Sequence, residues 1–139
     1  MPSSLPKALF AFPGRQRDRL VAAILAGTKT ATAGLWEEYR RSGEALPRVG
    51  GASVLVDSDD RPVAVLETTE VRVLPMGEVD SRFAADEGEG FASVDAWREA
   101  HERFFRSEEM RRALGDPPLE IGPATLLVCE RFRVTRVLR

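Results

Sequence analysis

The sequence has few of the residues on which metal and thiol chemistry depend. Its 139 residues include one cysteine, Cys129, and one histidine, His101. A single cysteine excludes an intrachain disulfide, and one residue of each type cannot supply the ligand set of a typical zinc site. We therefore expect no metal and no other cofactor. Cys129 is expected to be a structural strand residue, and His101 to pack beside Trp97 on a helix.

Long apolar runs and a basic excess are also absent. No run approaches the roughly 20 apolar residues of a membrane-spanning helix, and residues 1–7 lack the pattern of a secretory signal. The net charge of -2 and the pI of about 5.5 disfavour a general nucleic-acid coat protein. The charges are nevertheless segregated, with acids in 78–89 and arginines in 131–139. We expect a cytoplasmic protein that does not bind membranes and whose oligomeric state is open.

The composition indicates one globular domain. Hydrophobic residues make up 43% of the chain and charged residues 30%, which argues against disorder. We expect a single domain over 1–139, with 1–8 as a loose leader, and the fold class α+β. The predicted strands are 8–12, 53–56, 63–74 and 125–137; the predicted helices are 16–26, 33–42, 78–86 and 93–105, with one helical turn in 106–123.

The segment 27–34 contains the candidate functional turn. Gly27 can end the preceding helix in the left-handed conformation, and Lys29 then lies among three threonines. A cation beside hydroxyl groups suits an anionic or hydrogen-bonding ligand, although the helix dipole alone also favours a lysine here. Arg15 and Arg17 allow two interpretations as well: a basic rim for phosphate, or side chains that extend into solvent.

Two glutamates fall on apolar faces of predicted strands. Because strand side chains alternate, Glu67 shares a face with Val65 and Val71, and Glu130 shares a face with Phe132. Burying a carboxylate is costly unless it is paired, so both are functional candidates, with Lys29 as a charge partner. Alternatively, each glutamate binds a structural arginine, or a β-bulge resets the alternation.

Six short motifs follow one another between residues 10 and 137. They are Gly27-Thr28-Lys29-Thr30-Ala31-Thr32; Gly43-Glu44-Ala45-Leu46-Pro47 with Val49-Gly50; Val65-Leu66-Glu67-Thr68-Thr69-Glu70-Val71; Phe83-Ala84 with Glu87-Gly88-Glu89-Gly90; Trp97-Arg98 with His101; and Glu130-Arg131-Phe132. In this order they closely resemble an ASCH domain, of the PUA-like superfamily. The resemblance implies a small mixed, partly open β-barrel with flanking helices and a cleft beside the lysine turn.

The same resemblance implies that the protein binds RNA or a modified nucleoside. Some members are ribonucleases, and one branch removes the acetyl group from N4-acetylcytidine with a Lys, a Thr three residues later and a strand Glu. The matching positions are Lys29, Thr32 and Glu67. We expect an RNA- or nucleoside-binding domain, for which binding is better supported than catalysis; the candidate activity is metal-independent cleavage of single-stranded RNA at a cleft of Lys29, Thr32 and Glu67. The alternatives are an amidohydrolase on N4-acetylated cytidine-type nucleosides, and a non-catalytic RNA-binding or small-molecule-sensing module.

Ligand contacts are expected around this cleft. Arginines would contact phosphates, and Trp36 or Tyr39 would stack on a base. Replacement of Lys29 by alanine is expected to abolish activity with little effect on the fold. The expected binding residues are Arg15, Arg17, Thr30, Trp36, Tyr39, Glu130, Arg131 and Arg133.

Overall fold

The computed structural model describes residues 5–138, in which five strands form one sheet and five α-helices surround it. The strands are β1 (Lys7–Ala8), β2 (Ala31–Leu35), β3 (Ala52–Val56), β4 (Pro62–Pro75) and β5 (Leu126–Val137). The helices are α1 (Arg15–Ala26), α2 (Trp36–Ser42), α3 (Ser81–Asp86), α4 (Val94–Phe105) and α5 (Glu108–Leu114), with a 3₁₀ turn at Met76–Glu78. None of the helices described is long and apolar enough to cross a membrane.

The sheet has the strand order β1-β3-β4-β5-β2. β1 pairs with β3 in parallel, and the other neighbours pair antiparallel. Within residues 5–138 the edge strands β1 and β2 do not pair with each other, so the sheet stays open rather than closing into a barrel. The expected α+β class is confirmed.

Helices cover the sheet on both faces. On the face that we call the α1 face, Ile24 of α1 shares an apolar core with Leu66 and Phe132. On the opposite face, the α3 face, a second core joins Trp97 to Cys129 and includes residues from α3, α4 and α5. Alternate residues of β5 therefore pack into different cores, because successive side chains of a strand point to opposite faces of the sheet.

Local sequence signals explain several helix ends. The Ser93 hydroxyl accepts from the Ala96 N–H at 3.1 Å, which makes Ser93 the predicted N-cap of α4. Gly27 ends α1 with φ 85, in the left-handed region that glycine tolerates best. These helix ends could be predicted from the sequence because each cap depends on one side chain or one glycine.

Other boundaries differ from the expectation. Lys7 and Ala8 form β1 against Val54 and Leu55, so this part of the expected leader is ordered, whereas 9–12 form no strand. Residues 1–4 of the expected leader lie outside the described residues. The start of the second predicted helix is also wrong, because 33–35 belong to β2, where pairing with β5 overrides local helix propensity.

A close backbone approach fixes the loop that follows α3. The Thr30 N–H donates to the Asp86 carbonyl oxygen at 2.8 Å, which ties this loop to the chain just before β2. Gly88 has φ +73, and a Cβ built there would lie 2.2 Å from the Thr28 carbonyl oxygen. Only glycine fits this position without a shift of the backbone.

We predict that Gly88→Ala destabilises the fold far more than Gly90→Ala. Both glycines have positive φ, but nothing lies within 4 Å of a Cβ at Gly90. The Gly90 variant should therefore lose about 1–2 kcal/mol from backbone strain alone, and the Gly88 variant about 1–3 kcal/mol more from overpacking. Urea unfolding of both variants measures this difference, and equal losses would contradict the close approach.

Candidate functional site

Lys29 is buried instead of lying at the tip of an open turn. Only 2% of the surface of Lys29 is exposed to solvent. The ammonium donates to the Ala31 carbonyl oxygen at 2.8 Å, to Glu87 Oε1 at 3.2 Å and to the Glu87 carbonyl oxygen at 3.3 Å. Glu89 Oε2 lies 3.8 Å from the same nitrogen. These acceptors use all three N–H donors of the ammonium group.

Glu87 joins Lys29 to His101. Its Oε1 lies 3.5 Å from His101 Nε2, while His101 Nδ1 lies 2.9 Å from the Trp97 carbonyl oxygen. Burial alone would raise the pKa of Glu87, but the hydrogen bond and charge of His101, together with Lys29, hold that pKa below its ordinary value. Burial raises the pKa of Glu89, against the pull of Lys29. We call Lys29, Glu87, Glu89 and His101 the lysine cluster.

The lysine cluster has a structural function in this arrangement. Lys29 has no N–H left for a substrate phosphate, and its burial argues against the expectation that Lys29→Ala leaves the fold intact. The donor atoms of Glu87, Glu89 and His101 lie within 4.8 Å of one another, a spacing that suits a cation. The Lys29 ammonium already supplies positive charge to both carboxylates, so we assign no metal to them.

Glu67 does not face the core, and this expectation is wrong. A register shift between Thr68 and Glu70 marks a bulge opposite β5, which interrupts the alternation. Before the bulge the buried face of β4 carries Ala64, Leu66 and Thr68, at 0%, 3% and 6% exposure. Glu67 lies on the other face and binds Arg133, with Oε1 2.7 Å from Nη2. Arg133 is therefore the structural arginine that the sequence allowed as an alternative explanation for Glu67.

Glu130 does point with the apolar residues of its strand. It lies half-buried on the α1 face, between Val128 and Phe132 in sequence, and Thr68 Oγ1 donates to its Oε2 at 2.5 Å. Burial raises the pKa of Glu130, and the Thr68 hydrogen bond offsets this only in part. Among the residues from 5 to 138, no lysine, arginine or histidine forms an ion pair with Glu130.

Thr32 and Tyr39 lie on the same face as Glu130. Thr32 is directly opposite Glu130 in the β2–β5 register, so their side chains share a face. A Cβ on Gly34 would lie 4.0 Å from Tyr39 Cε2, which places that ring over Gly34 and beside Thr32. Burial, followed by the Glu130 charge, raises the pKa of Tyr39 to about 12. We call Glu130, Thr68, Thr32 and Tyr39 the polar hollow.

A groove adjoins the polar hollow along β5. Its volume is about 290 Å³. Phe132 and Val134 continue the face that carries Glu130, and Thr30 continues the chain from Thr32. The groove is lined by Ile24, Leu25, Ala26, Gly27, Lys29, Thr30, Phe132, Arg133 and Val134.

The expected basic residues are dispersed. Arg17 is 6% exposed and donates to the carbonyl oxygens of Phe10 and Ala11 at 3.0 and 2.9 Å, so we remove it from the ligand-binding set. Arg131 binds Asp86 and Glu70 on the α3 face, away from Glu130. Arg133 is exposed and lines the groove.

The other expected ligand residues are solvent-accessible to different degrees. Arg15 is exposed at the start of α1, and Thr30 is exposed beside the groove. Trp36 is half-buried and stands three residues before Tyr39 on α2, a spacing that places two side chains on neighbouring positions of a helix surface. Thr30 lies at the groove and Tyr39 lies over Gly34, both on the side of the sheet that carries Glu130. Arg15 lies at the opposite end of α1 from the groove.

Comparison with known proteins agrees with this architecture. A model of the ASCH domain matches residues 8–136. The crystal structure of protein EF3133 from Enterococcus faecalis has a TM-score of 0.80 at 33% identity, covering 93% of this chain and 75% of that one. An ASCH domain from Lactobacillus crispatus also has a TM-score of 0.80 at 33% identity, with coverage of 94% and 79%.

A third structure supports the fold alone. Hypothetical protein PH0355 has a TM-score of 0.55 at 15% identity, covering 84% of this chain and 92% of that one. No curated protein sequence matches significantly. The family match and the two closer structures show that this chain belongs to the ASCH domain family.

Sequence reasoning missed the partners of Lys29. Glu87 and Glu89 stand in the motif Glu87-Gly88-Glu89-Gly90, which the family resemblance included without assigning it a role. The available signal was the alternation of two acids with two glycines, since glycine allows a close approach between chain segments. The carboxylates beside Lys29 are therefore in a loop, and not in strand β4.

We predict that Lys29→Met lowers the free energy of unfolding by about 3–5 kcal/mol, because it leaves the buried Glu87 carboxylate without its lysine. Lys7→Met is the matched control. The Lys7–Asp60 pair is exposed, and its loss should cost less than about 1 kcal/mol. Chemical unfolding of the two variants provides the comparison, and a Lys29 variant as stable as the wild type would contradict a structural role.

The pH dependence of stability should report the contact between His101 and Glu87. Burial alone would lower the pKa of His101, but Glu87 outweighs burial and holds that pKa above 6.5. A raised folded-state pKa contributes stability that is complete below the unfolded value and is lost as pH rises through the folded value. Stability should therefore fall as pH rises above about 6.5 and through the raised pKa of folded His101.

His101→Phe tests this pH dependence, because it keeps an aromatic ring beside Trp97, which stacks on His101 at 4.1 Å, and removes the titration. The variant should be less stable at acidic pH and should show a flatter slope over the same interval. Thermal unfolding at a series of pH values gives both slopes. A variant that retained the wild-type slope would place the titrating group elsewhere.

Proposed function

We propose that this ASCH domain binds single-stranded RNA or a nucleotide, with one base in the polar hollow and the adjoining sugar and phosphate along the groove. The observation that carries this proposal is the half-buried Glu130 carboxylate, which has one hydroxyl partner and no cationic partner in the described chain. Such a group favours a ligand that brings hydrogen-bond donors.

The size of the groove and the polar side chains beside it suit a ligand of one nucleotide. A groove of about 290 Å³ is near the lower limit for small-molecule sites, which suits one nucleotide unit. Tyr39 offers a ring beside the hydroxyl and carboxylate groups, and single-stranded RNA is commonly recognised by stacking together with hydrogen bonds to base edges. The net charge of -2 favours a local contact over a broad phosphate-binding surface.

Catalysis receives less support than binding. In a hydrolytic scheme Lys29 would accept a proton and Glu67 would orient it, but Lys29 is occupied by its own acceptors and Glu67 is bound to Arg133. Ribonuclease and N4-acetylcytidine amidohydrolase activities are therefore outcomes to be tested alongside binding.

Fluorescence anisotropy with end-labelled single-stranded RNA tests the binding proposal. Tyr39→Ala should weaken binding by about 1–3 kcal/mol, the range for loss of one stacked base, whereas Tyr39→Phe keeps the ring and should bind within about threefold of the wild type. The same samples on denaturing gels report cleavage. Absence of binding by the wild type, or equal binding by the alanine variant, would contradict the proposal.

The exposed pair of Glu67 and Arg133 should tune the salt dependence of RNA binding. Glu67→Gln removes the carboxylate that neutralises Arg133, so the positive potential along β5 should increase, affinity should rise and the salt slope should steepen. Arg133→Gln should lower affinity and reduce the slope by about 1. Titrations at several salt concentrations measure both effects, with Arg112→Gln in α5 as an exposed control. RNA cleavage that disappears in Glu67→Gln would instead restore a catalytic role for Glu67.

A further inference from the structure

We propose that Glu130 makes the polar hollow selective for guanine, whether the base belongs to a free nucleotide or to single-stranded RNA. This inference rests on the proposed function, and it adds the base that the site prefers. It follows from which hydrogen-bond groups the hollow presents and which it lacks.

The Glu130 carboxylate presents acceptors only. An ionised carboxylate has two oxygens with several lone pairs and no donor. Thr68 Oγ1 donates to Oε2 at 2.5 Å, which fixes the orientation of the group and leaves Oε1 without a protein donor among the described residues. A ligand that brings two adjacent N–H groups can bind both oxygens at once.

Guanine is the common base that matches this pattern. Its Watson–Crick edge carries N1–H and the N2 amino group side by side, which are two donors spaced like the two oxygens of a carboxylate. Adenine and cytosine each place a ring-nitrogen acceptor beside their amino group, and uracil flanks its single N3–H with two carbonyl oxygens. In these three bases a lone pair would face the carboxylate, and that contact is repulsive.

The surrounding hydroxyl groups suit the remaining group of guanine. The carbonyl oxygen O6 lies next to N1–H and needs a donor. Thr32 is directly across from Glu130 on β2, and its hydroxyl can donate. Tyr39 lies on the same face, where its ring can stack on the base. The hollow thus combines an acceptor pair with a neighbouring donor, as a guanine edge requires.

The charge balance around Glu130 supports the same ligand. The two carboxylates on the neighbouring strand β4 each have a cation within ion-pair distance: Glu67 has Arg133 and Glu70 has Arg131. Glu130 has none within the stretch that the structure describes. A desolvated carboxylate with unfilled acceptor positions is unfavourable in the free protein. N–H donors from a ligand would therefore stabilise Glu130 more than they would stabilise a carboxylate that already has a cationic partner.

The test measures the affinity of the full chain for GMP, IMP, AMP, CMP and UMP by isothermal titration calorimetry. GMP should bind at least about tenfold more tightly than UMP, in the range of one good bidentate base contact. IMP lacks the N2 amino group and should bind more weakly than GMP. Oligouridine RNA with and without one internal guanosine, measured by anisotropy, shows whether the preference also applies within a strand.

Two variants distinguish base selectivity from general binding. Glu130→Gln replaces one acceptor oxygen by a donor, so the ratio of GMP to UMP affinity should fall by about tenfold, and loss of an uncompensated charge should leave the fold intact. Thr68→Val removes the hydroxyl that orients the carboxylate and should lower the same ratio in part. Circular dichroism and thermal unfolding of both variants check folding.

The outcomes separate the two proposals. If the wild type binds RNA and nucleotides without preferring guanine, or if Glu130→Gln keeps the wild-type preference, guanine selectivity is wrong while the binding function stands. If the wild type binds none of these ligands, both proposals fail. A guanine preference in the wild type that Glu130→Gln removes, while the variant stays folded, supports both.

Discussion

The buried contact between Lys29 and Glu87 ties together three parts of the chain. It joins the segment between α1 and β2 to the loop after α3, and through His101 it extends to α4. A buried ion pair is costly to desolvate and becomes favourable when its remaining donors and acceptors are also satisfied. Here backbone carbonyl oxygens of Ala31 and Glu87 satisfy the remaining lysine donors, whereas Glu87 Oε2 is buried without a hydrogen-bond partner among the described residues. Gly88 allows the two chain segments to approach closely enough for this to occur.

Because of the Lys29–Glu87 contact, the lysine and the threonines of one sequence motif lie in two different regions of the structure. The Gly-Thr-Lys-Thr turn looks like a ligand-binding turn because it contains a cation and hydroxyls, yet the fold turns the lysine inward to hold the edge of β2. Its neighbours face outward: Thr30 lines the groove, and Thr32 stands opposite Glu130. The turn therefore positions the polar hollow without contributing its charge. The site has two electrostatic features. On one sheet face lies a carboxylate without a cationic partner among the described residues, and beside the sheet edge lies a lysine whose three donors are all used.

The α+β class, the caps and most helices could be predicted from sequence, because each depends on local pattern. The Ser93 cap and the alternation of β5, which places Glu130 with Phe132, are examples. Pairing information was needed for the rest. The bulge near Thr68 reverses the face of β4, so Glu67 could not be assigned correctly by counting alternate residues. Strand β2 is short and depends on β5 for its hydrogen bonds. Lys29 and Glu87 are 58 residues apart in sequence, so no local pattern pairs them.

We propose that ligand binds on the α1 face beside Glu130 and not at the lysine cluster. Chemical-shift mapping by NMR, with a short single-stranded RNA titrated into the full chain, distinguishes these two positions. Binding beside Glu130 should produce the largest amide shifts in 30–39, 66–71 and 128–134, with smaller changes at 86–90 and in α4. Shifts concentrated at 86–90 and His101, with the residues around Glu130 unaffected, would contradict it.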